Sequence, residues 1–131
     1  MTPVTYLDSS AIVKLAVAEP ESHALRRYLR RRRPLVSSAL ARTEVLRALL
    51  PAGPTATTAG RTVLAGLELV RVNDRVLSDA AELAPVELRA LDAIHLATAR
   101  RFGDELGLLV SYDDRMLAAA ESLRVRVVAP G

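Results

Sequence analysis

The chain has 131 residues, half of them apolar, a formal net charge of +3 and no cysteine. That is enough for one well-filled core and short for two, so a single domain over residues 1–131 is expected. Disulfides and thiolate zinc sites are excluded; with no signal-peptide pattern and no apolar run near the ~18 residues of a membrane span, a cytoplasmic protein with no membrane partner is expected.

Val4 to Leu7 reads as a short buried strand, and Ser9 and Ser10 start a helix from Ala11 to Ala18 that Pro20 ends. Glu21 to Arg33 has helical composition, with Leu25 and Leu29 four apart, and Pro34 stops it before the strand Leu35 to Ser37. Ser38 opens a helix through Leu50, Pro51 to Pro54 breaks the chain, and Thr57 to Ala65 forms the next helix. Alternation over Leu67 to Val72 predicts a third strand, and Asn73 or Asp74 starts a helix to Ala84. Leu88 to Phe102 is strongly helical, Gly103 to Gly107 is a turn, and Leu108 to Ser111 is an apolar strand. Asp113 or Asp114 opens a last helix to Leu123, and Val125 to Val128 is a terminal strand. Strands alternating with helices predict the α/β class: a central parallel sheet of four to five short strands with helices on both faces.

Ligands of open parallel sheets bind beyond the carboxyl ends of the strands, where loops and helix N-termini converge. Asp8 and Asp113 both follow an apolar strand and so fall there. Each is also placed to cap the helix that follows. Glu44 breaks a pattern: at about 100° per residue it falls between Leu40, Ala41 and Ala48, on the face that packs inward. Asp92 does the same in Leu91 to Ala99, with His95, Leu96 and Ala99 as helical neighbours, although a first-turn acid is also favoured by the helix dipole.

Gathering carboxylates away from water is unfavourable, because desolvation and mutual repulsion disfavour the charged forms until a proton or a cation is bound. No lysine or arginine lies three or four residues from Asp8, although Arg47 is in reach of Glu44. A multivalent cation resolves the conflict, and all-oxygen donors suit Mg2+ or Mn2+. His23 and His95 lack the paired spacing of a zinc motif, and His95 is read as packed or supporting rather than as a ligand. The positive charge is almost all arginine, Lys14 being the only lysine, and is densest at Arg26, Arg27, Arg30, Arg31, Arg32 and Arg33. Such a run attracts phosphate backbones, or is simply a solvated helix face in an arginine-rich chain. Carboxylate-held magnesium beside arginines suits phosphodiester hydrolysis, since the metal lowers the pKa of bound water and neutralises phosphoryl charge.

These residues resemble the PIN-domain ribonucleases, and within them the VapC-type toxins of type II toxin–antitoxin systems. The resemblance covers nearly the whole chain through four motifs in order: Leu7-Asp8-Ser9-Ser10-Ala11, Ala41-Arg42-Thr43-Glu44-Val45, Leu91 to Ala99, and Val110-Ser111-Tyr112-Asp113. It implies a magnesium- or manganese-dependent endoribonuclease with Asp8, Glu44, Asp92 and Asp113 as its acidic quartet. Ser10 matches a polar position beside the metal, Ser111 stands where many relatives have threonine, and Asp114 is a helix starter or a supporting neighbour. A homodimer and inhibition by a cognate VapB-type antitoxin that inserts a segment near the acids are also implied.

Two other readings compete. In an inactive RNA- or antitoxin-binding module the acids are structural, the arginine run carries the affinity, and binding needs no metal. An aspartyl-nucleophile phosphatase also begins with an aspartate after its first strand, but carries a second aspartate two residues on, where this chain has Ser10.

Overall fold

Val4 to Leu7 is apolar on both sides of the pleat except for Thr5, and all four residues are buried. A strand without a polar face belongs in the middle of a parallel sheet covered by helices on both sides. In the computed structural model, which describes residues 2–131, this segment is the central strand β1. Four further strands, β2 (Leu35–Ser38), β3 (Glu68–Val70), β4 (Leu106–Val110) and β5 (Val127–Val128), complete a parallel sheet in the order β3-β2-β1-β4-β5.

Seven α-helices are present among the described residues: α1 (Ser9–Ala16), α2 (Ser22–Leu29), α3 (Ala41–Leu49), α4 (Pro54–Ala65), α5 (Asp74–Ala81), α6 (Ala90–Arg100) and α7 (Asp114–Ser122). The alternation of β1 assigns them to two layers. Leu7 faces a core shared with Ile12, Leu25, Val45 and Leu64, from α1 to α4. Tyr6 faces the other core, with Leu96 of α6 and Met116 and Ala120 of α7. Helix α5 packs outside α6 through Val76 and Ala80 against Ala93 and Ala97. Gly60 lets α4 close on α3: a Cβ there would sit 2.5 Å from Leu49 Cδ1, so the buried leucine would have to turn.

From β1 the chain steps to β2 and β3 on one side, then crosses back to β4 and β5 on the other. The order therefore reverses between β1 and β4, and the crevice at their carboxyl ends is the point where such sheets take ligands.

Element boundaries differ from expectation where tertiary hydrogen bonds extend or stop an element. Ser38 belongs to β2, and the Ala39 amide still donates to the Val70 carbonyl at 2.8 Å, so α3 starts at Ala41 instead of Ser38. Helix α2 ends at Leu29; Pro34 disfavours a helical Arg33, and the Arg32 carbonyl accepts from the Thr5 hydroxyl at 2.8 Å. Residues Arg30 to Arg33 are thus a turn before β2 and not a helix face. After α7, Arg124 takes a left-handed φ of 63° while the Val125 amide donates back to the Ala120 carbonyl, which delays β5 to Val127.

Candidate active site

Asp8 leaves the end of β1 with its amide donating to the Val110 carbonyl of β4 at 3.2 Å, so the two strand ends are locked side by side. Its side chain accepts from the Ala11 amide at 3.1 Å as the cap of α1. Two serines then join it to the segment after β4. Ser10 Oγ donates to Asp8 Oδ1 at 2.6 Å and accepts from the Tyr112 amide at 2.9 Å. Ser111 Oγ donates to Asp8 Oδ2 at 2.5 Å and accepts from the Asp113 amide at 3.0 Å. Asp113 is half-buried and caps α7, accepting from the Arg115 and Met116 amides through Oδ1. Both aspartates are therefore helix caps and occupants of the crevice at once; the two readings of the sequence describe the same geometry. Asp114 is the exposed first residue of α7, the helix-start role among the two considered for it.

Glu44 and Asp92 arrive from opposite layers, each in the first turn of its helix, α3 and α6. Arg47 makes no ion pair with Glu44 within 4 Å among the described residues; the partner is His95, whose Nε2 lies 2.6 Å from Glu44 Oε1. Ser9 Oγ donates to the same oxygen at 2.6 Å, so the hydrogen bonds found among the described residues leave Glu44 Oε2 without a partner. His95 is 1% exposed and its Nδ1 lies 2.7 Å from the Tyr6 hydroxyl, with the two rings edge to face. Burial raises the Tyr6 phenol far above its ordinary pKa, so it stays protonated and donates. A Tyr6 O–H donating to Nδ1 and an Nε2–H donating to Glu44 fit one neutral tautomer.

The charges report the crowding. Burial raises the Asp8 carboxyl despite its hydrogen bonds from Ser10 and Ser111. Asp92 is raised by burial first, then by the negative charges of Asp113 and Asp8, and Glu44 adds to this. Glu44 is also penalised by burial, but its bonds from His95 and Ser9 prevail and hold it below the usual range. No lysine or arginine lies within ion-pair distance of these four acids among the described residues. The N-termini of α1, α3, α6 and α7 supply part of the missing positive potential.

Residues 5–122 match the family described as PIN domain. The chain is 66% identical over 125 residues to Ribonuclease VapC46 of Mycobacterium tuberculosis, covering 95% of this chain and 96% of that protein. The chain belongs to the PIN-domain family, among its VapC ribonucleases. Ribonuclease VapC35 of the same organism is 44% identical over 130 residues, covering 96% of both chains. The crystal structure of Mycobacterium tuberculosis VapC20, a sarcin-ricin loop cleaving toxin, superposes with a TM-score of 0.74 at 18% identity, over 88% of this chain and 94% of that one. That likeness carries the fold alone.

Within this PIN domain the donor set is chemically suited to a hard divalent cation: carboxylates and hydroxyls, with the one nearby imidazole occupied by Glu44 and Tyr6. The acids act on one another's charge, yet among the described residues no three or more His, Asp and Glu side chains are grouped closely enough to hold a metal ion as they stand. Hollows elsewhere on the domain are lined differently. One of about 500 Å³ between α5 and α6 is lined by Leu77, Leu83, Val86, Leu88 and Ile94, with Glu82 as its charged group.

The predicted arginine run lies elsewhere. Arg31, Arg32 and Arg33 line a hollow with Thr2 to Thr5, Gly107 and Leu108, at the amino ends of β1, β2 and β4. The acids and these arginines therefore occupy opposite ends of the sheet. In the sequence Ser9 was legible only as a helix starter and Tyr6 only as part of the first strand, neither as a residue of the site. A phenol two residues before Asp8 in an apolar strand was the available signal, since a buried hydroxyl must find a partner.

Proposed function

We infer that the chain is an endoribonuclease that hydrolyses RNA phosphodiester bonds with Mg2+ or Mn2+, and that it is the toxin of a toxin–antitoxin pair. Asp8, Glu44, Asp92 and Asp113 would hold the metal, which supplies an activated water and neutralises charge on the phosphoryl oxygens when bound. The observation that carries this reading is the convergence of Asp8, Asp92 and Asp113 at the switch point, close enough that the other two charges raise Asp92, with no basic side chain paired to them among the described residues.

The remaining residues set the donors in place. Ser10 and Ser111 fix both oxygens of Asp8, so the carboxylate keeps one orientation. Ser9 and His95 hold Oε1 of Glu44 and leave Oε2 for the cation. The whole chain acts as one nuclease domain in the cytoplasm, forms a homodimer, and is silenced by a VapB-type antitoxin. Basic side chains of that antitoxin would enter the acidic crevice, where bidentate Arg–carboxylate pairs are strong. The names of its close relatives, all VapC ribonucleases, support the class of reaction and the kind of partner.

The test is incubation of purified protein with a labelled small-RNA pool under magnesium, manganese or chelator, beside Asp8→Asn. Cuts at discrete sites that need metal and vanish in the variant are expected. Full cleavage by Asp8→Asn, or in chelator, would overturn the assignment.

A further inference from the structure

The end of the sheet remote from the acids carries arginines from three separate parts of the chain. Arg31, Arg32 and Arg33 come from the turn before β2, Arg126 from the residue before β5, and together they line a hollow of about 310 Å³ that contains no acidic residue. Arg126 also lines an adjoining hollow of about 340 Å³ with Arg100, at the end of α6, and Arg124. Asp104 is its one acidic lining residue. The sequence run therefore gains partners from positions 100, 124 and 126, which no local compositional bias in residues 26–33 explains.

These side chains are available. All of these arginines are exposed, and none pairs with a carboxylate within 4 Å among the described residues. Arg32 is the one held in place: it donates to the Tyr28 carbonyl at 2.8 Å and its guanidinium lies 3.7 Å over the Tyr28 ring. Arg124 stands in the left-handed region at φ 63°, where glycine or asparagine is the ordinary end of a helix and a residue with a Cβ is disfavoured. An arginine there is a local compromise that places one more guanidinium on this face.

We propose that this arginine face is a second RNA-binding surface, which anchors the phosphate backbone of the substrate at the opposite end of the domain from the acidic crevice. Guanidinium forks match phosphate oxygens, and a group of unpaired cations on one face favours a polyanion with regular charge spacing. The four residues of β1 alone separate the two ends by roughly 13 Å. An RNA touching both must run along the side of the domain, which favours extended or folded RNAs over fragments of a few nucleotides. This rests on the endoribonuclease reading, but its binding arm is read without cleavage.

Two full-length variants separate the ends. Binding of total transfer RNA is measured by fluorescence anisotropy in chelator, over a range of salt, for the parent, Asp8→Asn, and the combined Arg31→Ala, Arg33→Ala and Arg126→Ala protein. Asp8→Asn should bind like the parent. The arginine variant should bind at least tenfold more weakly, and its log–log salt slope should fall by about 2 to 3, since each phosphate left without its cation lowers the slope by about 0.7–0.9. On cleaved RNA its KM should rise while kcat stays within about twofold, and lysine at the same three positions should recover most of the binding.

Parent-like binding by the arginine variant would overturn the proposal, as would equal loss of binding in Asp8→Asn. Loss of binding to poly-L-glutamate with RNA binding intact would assign the face to an acidic protein and overturn it equally. If the parent cuts no RNA with either metal, the catalytic reading falls, while the chelator binding data still decide this surface.

Discussion

The two ends of the parallel sheet carry opposite charge and treat it in opposite ways. At the carboxyl ends the acids are withdrawn from water and most are oriented: Asp8 accepts three hydrogen bonds and Glu44 two. At the amino ends the arginines are exposed, and Arg32 apart the side chains of Arg31, Arg33, Arg100, Arg124 and Arg126 make no hydrogen bond to a described group. Fixed, desolvated charge suits chemistry at one point, because preorganised groups need no rearrangement at the moment of reaction. Mobile, hydrated charge suits a backbone of variable path, whose affinity comes from released counterions.

The largest effect expected from breaking this contrast is at Asp8. Asp8→Asn keeps the size of the side chain but removes the charge at the junction of β1 and β4, and cleavage should fall by at least about 100-fold, as for loss of a preorganised charge-stabilising group. A discontinuous cleavage assay at saturating metal checks it, with circular dichroism to confirm the fold.

Next is the support of Glu44. His95→Ala takes away the donor to Oε1, and loss of such an orienting partner costs about 10–100-fold in metal affinity or activity. Manganese binding followed by electron paramagnetic resonance should weaken together with kcat, and His95→Gln, which can still donate, should recover part of both. A variant with unchanged manganese affinity would reduce His95 to packing.

The arginine face follows, with the roughly tenfold loss of RNA affinity and the KM effect described above. Raising salt should erase the difference between parent and variant, because exposed guanidinium–phosphate attraction is the part that salt screens.

A smaller effect is expected at Tyr6→Phe. It removes the hydroxyl bonded to His95 Nδ1 and leaves a buried acceptor unpaired, for a loss of about 1–3 kcal/mol in urea unfolding.

The smallest effect concerns Asp92. Burial and the charges of Asp113 and Asp8 raise its carboxyl. A carboxyl raised in the folded state favours folding fully below its unfolded pKa, and that advantage is lost as pH rises through the folded value. Metal-free Asp92→Asn should therefore melt slightly higher than the parent at neutral pH, with the gap shrinking as pH falls toward the ordinary Asp range of about 4. Thermal melts in chelator check the sign, and added magnesium should stabilise the parent more than the variant.

How much of this was readable in advance differs between the two ends as well. The strands β1 and β4, the helix-start aspartates and the inward Glu44 and Asp92 were legible, because buried strands are continuous apolar runs and an acid on an apolar helix face violates its pattern. Glu44 was offered Arg47 as a partner one turn away, whereas the structure gives it His95, fifty-one residues on. Local spacing lists neighbours on one helix and says nothing of what packs across the sheet. The arginine run was legible as charge but not as position. Its helix stops at Leu29, Pro34 and Thr5 fix the following turn, and the strand directions then carry it to the end away from the acids.

The sequence by itself therefore determined the class of fold, the acidic character of the crevice and the sign of the arginine surface, since these follow from periodicity, residue type and charge, which are local. The tertiary structure decided which groups meet: the two serine bridges around Asp8, the Tyr6–His95–Glu44 chain, and the union of Arg31 to Arg33 with Arg126. Those pairings join residues up to 103 positions apart. They depend on strand order and on the face each side chain takes, and neither is set until the sheet closes around β1.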